Sequence, residues 1–256
     1  MVLKKMITAV AMAAVILAGS MVNVRAEEGE APTASADLSV LSKYVWRGYE
    51  LSDDSLVLQP SVTVGYKGFA LNLWGNLDSD LVGTDKAEWT ETDMTLSYDW
   101  AFGPVSMGVG YIYYALDNAN DTKEVYLSAG LDVLLSPTLT IYRDISEFPG
   151  WYLNLGISHS FQLPHDISLD LSGSVGYYYS DDDDFVEVGT TKKYKNLHDG
   201  LISAGLTIPV GKYITVSPAV SYSFPLSSKA DDLLKDASYS NDSSFLYGGV
   251  TLSIAF

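Results

Sequence analysis

The chain has 256 residues, 47% of them hydrophobic and 12% aromatic, with 21 Gly, 18 Tyr and no Cys. Its 32 acidic and 15 basic side chains give a formal charge of −17, which excludes nucleic acid as a partner, because binding phosphate needs a cationic face. The missing cysteines exclude disulfides, thiolate metal sites and a lipidated lipoprotein anchor.

Residues 1–26 read as an export signal. Lys4 and Lys5 form a basic head, Met6 to Ala18 an apolar stretch, and Val24, Arg25 and Ala26 a small-x-small ending before Glu27. Its removal leaves 230 residues with 12 basic and 32 acidic side chains, a net of −20. Residues 27–36 are then expected as a short periplasmic segment and 37–256 as the folded body. The longest uncharged runs after the signal, such as Trp100 to Leu116, are interrupted by Gly103 and Pro104, so no membrane-spanning helix is expected. Abundant Gly and Tyr with few helix-forming stretches indicate an all-β chain.

The first strand, Leu38 to Arg47, is less regular than the rest. From Leu56 a period of two is sustained: Leu56, Leu58, Pro60, Val62, Val64 and Tyr66 alternate with Val57, Gln59, Ser61, Thr63, Gly65 and Lys67. The same alternation marks 69–78, 90–100, 105–113, 125–133, 139–141, 151–157, 167–179, 202–208, 214–224 and 246–256, making twelve strands. At about 19 residues per strand and connection, each strand can cross a bilayer at a tilt. The connections alternate between short turns (66–68, 101–104, 134–137, 162–166, 209–212) and longer polar loops (notably 79–89, 181–197 and 225–243). Outer-membrane barrels keep short turns on the periplasmic side and long loops outside.

The apolar sets read as lipid-facing rather than interior. Aromatic residues gather near their ends: Tyr66, Phe69, Tyr98, Trp100, Phe161 and Phe256 at the short turns, and Trp46, Tyr111, Tyr113, Trp151, Tyr177, Tyr179, Tyr222 and Phe224 at the loops. Shifting one strand by a residue would put Glu91, Asp93 and Asp99 into hydrocarbon, so the register is strongly specified. Arg143 shares parity with Leu139 and Ile141 and needs a bulge or a place at the outer rim. Because lipid cannot satisfy open strand edges, the first strand must pair with the twelfth. The terminal Val250, Leu252, Ile254 and Phe256 resemble the C-terminal signal read by the barrel-assembly machinery.

Inward parity collects Asp78, Glu91, Asp93, Asp99, Glu124, Asp132, Asp144 and Asp170 against Lys43, Arg47 and Lys67. Fixed carboxylates concentrate cations and repel anions, so a water-filled lumen lined by them would prefer cations. The competing expectation is that these charges pair across a small, plugged interior. Lys43 and Arg47 on one face of the first strand, with inward Tyr114, Tyr126, Tyr142, Tyr152 and Tyr178, could form a constriction; more often such residues simply fill volume and satisfy lumen carboxylates. Asp181 to Asp184, and Asp117, Asn118, Asn120 and Asp121, lack the spacing of a calcium hand. Lys192, Lys193 and Lys195 follow the first cluster and favour a self-neutralising loop.

A hydrolase reading requires a His beside a Ser with a third group orienting the ring. His159 points outward, Ser160 inward, His165 lies in a turn, and His198 has Asp199 beside it but no serine at a same-face spacing nearby. No catalytic residue, metal site or cofactor is therefore assigned.

Ser42, Lys43, Tyr44, Val45, Trp46, Arg47 and Gly48 resemble the S-x-Y-x-x-R-G opening of the TorF-like family of outer-membrane porins. The resemblance implies a small outer-membrane barrel with a transport role and no catalytic residues. The sequence reading is thus a twelve-stranded transmembrane antiparallel β-barrel in a Gram-negative outer membrane, a passive cation-preferring channel for small hydrophilic solutes. Its expected partners are outer-membrane lipids, lipopolysaccharide and, through Phe256, the assembly machinery. The alternatives are an outer-membrane lipid hydrolase and a plugged structural or adhesive barrel.

Overall fold

The structure, a computed structural model, describes residues 31–117 and 119–256; the expected signal peptide and Asn118 lie outside the described residues. Fourteen strands are present among them: β1 (Thr33–Leu41), β2 (Val45–Trp46), β3 (Tyr49–Glu50), β4 (Val57–Tyr66), β5 (Phe69–Leu81), β6 (Lys86–Phe102), β7 (Val105–Leu116), β8 (Thr122–Leu131), β9 (Thr138–Asp144), β10 (Gly150–Gln162), β11 (Ser168–Ser180), β12 (Lys195–Val210), β13 (Ile214–Pro225) and β14 (Phe245–Ala255). One α-helix, α1 (Ser228–Ala237), precedes the last strand.

Twelve of the strands, all except β2 and β3, close into an antiparallel barrel, with β1 hydrogen-bonded to both β4 and β14. The seam is complete to its end, since Phe256 and Ala34 exchange both backbone hydrogen bonds at 3.0 Å. No open edge is left to be solvated by lipid. β1 begins at Thr33, within the segment expected to precede the barrel.

The wall is turned inside out relative to a soluble protein. Val62, Leu73, Leu96 and Ile202 are each at least half exposed on the outside, whereas Asn76, Glu124 and His198 are buried within. The alternation explains this: each strand places one apolar set outward and one polar set inward. Turns of two to six residues (67–68, 103–104, 132–137, 163–167, 211–213) fall at one end, and the long connections 42–56, 181–194 and 226–244 at the other, together with short ones such as 82–85 and 145–149. The expected loop 79–89 is mostly strand, because β5 and β6 extend to Leu81 and from Lys86. Tyr98 stacks on Trp100 and lies tilted against Phe69 at the short-turn end, and Tyr222 stacks on Phe224 at the loop end.

The first strand departs from expectation. The wall strand stops at Leu41, and residues 42–56 fold into the barrel as the β2–β3 hairpin. Lys43 and Arg47 therefore face the interior from an inserted element, not from a wall strand. Trp46, expected in the outer girdle, is 1% exposed inside the barrel. The local cause is the Arg47-Gly48 turn: Trp46 pairs with Tyr49, and both intervening residues have positive φ, 44° and 82°. That geometry is the two-residue turn whose twist suits a hairpin.

Two bulges re-aim side chains. On β12, His198 and Asp199 together oppose the single residue Gly176, so both consecutive side chains are buried inside. On β6, Thr90 is the extra residue, which sends Trp89 outward over Gly75 while Glu91 stays inward.

Candidate functional site: a hairpin lodged in an acidic bore

The tip of the inserted hairpin carries a heavily coordinated charge. Both terminal nitrogens of Arg47 donate to Glu124 of β8, Nη1 to Oε1 and Nη2 to Oε2, each at 2.9 Å. Tyr114 Oη donates to the same carboxylate at 2.9 Å. The guanidinium lies over Trp46 at 4.3 Å, Tyr142 at 4.5 Å and Tyr152 at 4.1 Å from their ring centroids. A planar fork satisfies both carboxylate oxygens and stacks on aromatic faces at once, which a lysine could not do.

Further up the hairpin, Lys43 pairs with Glu50 and, at 2.7 Å, with Asp54. Tyr44 Oη donates to Glu91 Oε2 at 3.0 Å. Glu50 Oε2 accepts from the backbone N–H and the hydroxyl of Ser240, at 3.0 and 2.9 Å, tying the hairpin to the loop after α1. Tyr49 packs on the His198 ring, and His198 Nδ1 is hydrogen-bonded to Tyr194 Oη at 2.8 Å. Tyr152 Oη donates to Asp199 at 2.9 Å.

α1 closes the loop end over this hairpin. Ser227 caps it by accepting the Ala230 N–H, and Leu233 and Leu234 on its inner face are fully buried. Leu234 packs against Gly48, where an added Cβ would lie 2.9 Å from its Cδ1. Glycine at this position thus meets two demands, a positive φ and room for the leucine. On the exposed face of α1, the hydrogen bond from Lys235, with a second from Ser243, holds the Asp231 carboxyl below its ordinary range.

Below the hairpin the bore changes character. Its walls present Ser61, Thr63, Asn72, Thr95, Ser128 and Thr140, with three carboxylates: Asp37, Asp99 and Asp170. Asp170 accepts hydrogen bonds from Ser160, Ser168 and Thr207. Among the described residues no strand places a Lys or Arg inward in this half.

Of the expected lining, Asp78, Glu91, Asp93, Glu124, Tyr152 and Tyr178 are buried together around the hairpin, with Tyr142 and Tyr126 beneath it. Asp144 sits at the loop rim, holding Thr122 and the N–H groups of Ser146 and Phe148. Two assignments change. Asp132 lies exposed in the turn after β8, which ends one residue earlier, and Lys67 lies exposed in the β4–β5 turn with φ 49°. Asp37 joins the inward set as well, one residue before the alternation that is visible from Leu38. The inward aim of Asp199 depends on a bulge that no local pattern marks. Arg143 is at the loop rim, paired with Asp181 at 2.5 Å and lying over Trp151, which resolves its parity. In loop 181–194, Lys193 pairs with Asp183 at 2.7 Å and its hydrogen bond lowers that carboxyl's pKa.

Residues 25–145, slightly under half of the chain, match a family described as "Bacterial protein of unknown function (Gcw_chp)". Curated proteins give no match. Solved structures similar to this chain include the KdgM porin, 14% identical, covering 87% of this chain and 99% of that one with a TM-score of 0.54. The NanC porin is 10% identical, covering 86% and 98% with a TM-score of 0.54. LpxR from Salmonella typhimurium is 10% identical, covering 87% and 100% with a TM-score of 0.50. At such identities the likeness is one of fold, in keeping with the closed, twelve-stranded β-barrel of this chain.

Proposed function

We propose that the protein is a porin-like channel of the Gram-negative outer membrane, passing small hydrophilic solutes passively and preferring cations, with the β2–β3 hairpin as its constriction. The observation that carries this reading is the charge inventory of the bore. Around the hairpin, Glu50, Asp78, Glu91, Asp93, Glu124, Asp144 and Asp199 are buried with Lys43 and Arg47 as the basic side chains among them. Asp37, Asp99 and Asp170 line the half below. Fixed negative charge in a low-dielectric tube raises the local cation concentration and repels anions.

The hairpin fills the loop-end half of the bore, so a solute passes only where residues 42–56 yield. The fold likeness to the KdgM and NanC porins and the resemblance of Ser42 to Gly48 to the TorF-like opening support the channel reading. Phe256 is largely exposed at the short-turn end, as a signal for the assembly machinery would need to be. The His198 ring is enclosed by Tyr49, Tyr178 and Tyr194 and bonded to a tyrosine hydroxyl, which argues against a nucleophile pair and so against a hydrolase.

Planar-bilayer recording tests the proposal. The intact barrel is expected to conduct weakly with a cation-selective reversal potential, and a variant lacking residues 43–55 to conduct strongly with the same sign. Silence from both proteins, or anion preference at neutral pH, rejects it.

A further inference from the structure

We infer that one flank of the barrel, across β8 to β12 at the loop end, is a binding surface for a phosphorylated lipid of the outer leaflet. The inference rests on the outer-membrane reading above.

The basic side chains of the wall are unevenly distributed. Five consecutive wall strands, β13, β14, β1, β4 and β5, contain no Lys or Arg. On the other side, Arg143, Trp151, Tyr179 and Lys195 lie in one register row across β9 to β12, each facing outward near the loop end of its strand. Lys123 stands on β8 beside this row, paired with outward Tyr113. Lys195 lies over the Tyr179 ring at 3.9 Å and Arg143 over Trp151 at 5.1 Å. The acidic side chains in contact with the row are Asp181, which pairs with Arg143, and Asp121, which accepts from Tyr113 Oη; Asp182 to Asp184 follow in the loop above, where Lys193 pairs with Asp183. Lys123 and Lys195 have no ion-pair partner among the described residues.

A cation facing lipid is costly at the midplane and nearly free at the interface, so the position alone is tolerated. What the row adds is complementarity to anionic headgroups, with aromatic rings holding the cations at headgroup depth. Directly beneath it the same strands present Val125, Leu127, Leu155 and Val175, all exposed on the outside. Cations above an apolar strip fit a molecule with phosphates at one end and acyl chains at the other, which distinguishes a lipid from free phosphate.

The test uses the full barrel in non-ionic detergent, with binding of diphosphoryl lipid A and of the same lipid without phosphates measured by native mass spectrometry. The intact protein is expected to prefer the phosphorylated lipid by about tenfold or more. A Lys123→Gln/Arg143→Gln/Lys195→Gln variant should lose that preference, while Lys67→Gln/Lys212→Gln at the opposite end should keep it. Heat-modifiable migration confirms that each variant is folded. Equal binding by the triple variant, or full displacement of the lipid by inorganic phosphate, overturns the inference. A folded barrel that does not insert into liposomes overturns it together with the outer-membrane reading, whereas one that inserts without any phosphate preference overturns the inference alone.

Discussion

Arg47 is held by a bidentate carboxylate and three aromatic faces, and its removal would leave Glu124 buried against Tyr114 without its countercharge. Breaking such a buried pair from one side costs about 3 to 5 kcal/mol, because the surviving charge stays desolvated. Arg47→Ala is therefore expected to free the hairpin: open-channel events rise sharply in bilayer recordings while the barrel still migrates as folded. Arg47→Lys should give an intermediate effect, since an ammonium keeps the charge but not the fork. At the neighbouring position, Gly48→Ala meets both a φ of 82° and the Leu234 methyl group. The expected loss is about 1 to 3 kcal/mol of hairpin seating, read as increased proteolysis within residues 42–56. Adding Leu234→Ala relieves only the steric part, so a double variant that fully restored protection would contradict the strained-turn account. The same residue-level logic predicts that neither the intact protein nor His198→Ala hydrolyses phospholipid or lipid A in mixed micelles.

At the scale of the element, the hairpin and α1 are stable only together. A two-stranded hairpin of this size and a ten-residue helix are each marginal alone in water. Their stability comes from what they bury: Trp46, Tyr49, Leu233 and Leu234 are all inaccessible. Leu233→Ser/Leu234→Ser removes two buried side chains, each worth about 1.5 to 3 kcal/mol of transfer. The expected outcome is more frequent opening with the single-channel amplitude of each opening unchanged, because the walls are untouched. Asp231, whose pKa is depressed by Lys235 and Ser243, contributes its tether above the ordinary carboxylate range and loses it as pH falls through the lowered value. Acidification to below the ordinary carboxylate range should therefore loosen α1, while mild acidification should leave it seated, and protease protection of 226–244 against pH would show it. The wall strands behave differently, since each is satisfied on both sides by a closed ladder.

For the molecule as a whole, the acidic bore and the apolar exterior follow from one alternation seen from two sides. The half below the hairpin has carboxylates and, among the described residues, no inward base, so it is expected to set ion preference for anything that passes the constriction. Asp37→Asn/Asp99→Asn/Asp170→Asn should lower the cation-to-anion permeability ratio measured from reversal potentials, and high salt should diminish the ratio in the unmutated protein by screening. A ratio unchanged by all three substitutions would place selectivity in the hairpin region instead.

Much of this architecture was legible along the chain. The twelve wall strands, their closure through the first and last, the inward carboxylates Glu91, Asp93 and Glu124 and the inward tyrosines follow from a period of two, a property each segment carries by itself. Arg143 stands out for the same reason, as an exception that needs either a bulge or a place at the rim, and the structure has it at the rim. The irregular stretch up to Arg47 resembles wall because short alternating pieces at Val45 and Trp46 look alike whether they pair with a neighbour or with themselves.

What the amino-acid order determined on its own is therefore which face of each strand meets lipid, since that depends only on local side-chain alternation and the cost of charge in hydrocarbon. Only the closed three-dimensional structure decided that residues 42–56 turn inward, that Arg47 finds Glu124 seventy-seven positions away, and that a bulge brings His198 and Asp199 to one side. Those outcomes depend on the diameter and stagger of the finished barrel, which no single segment encodes.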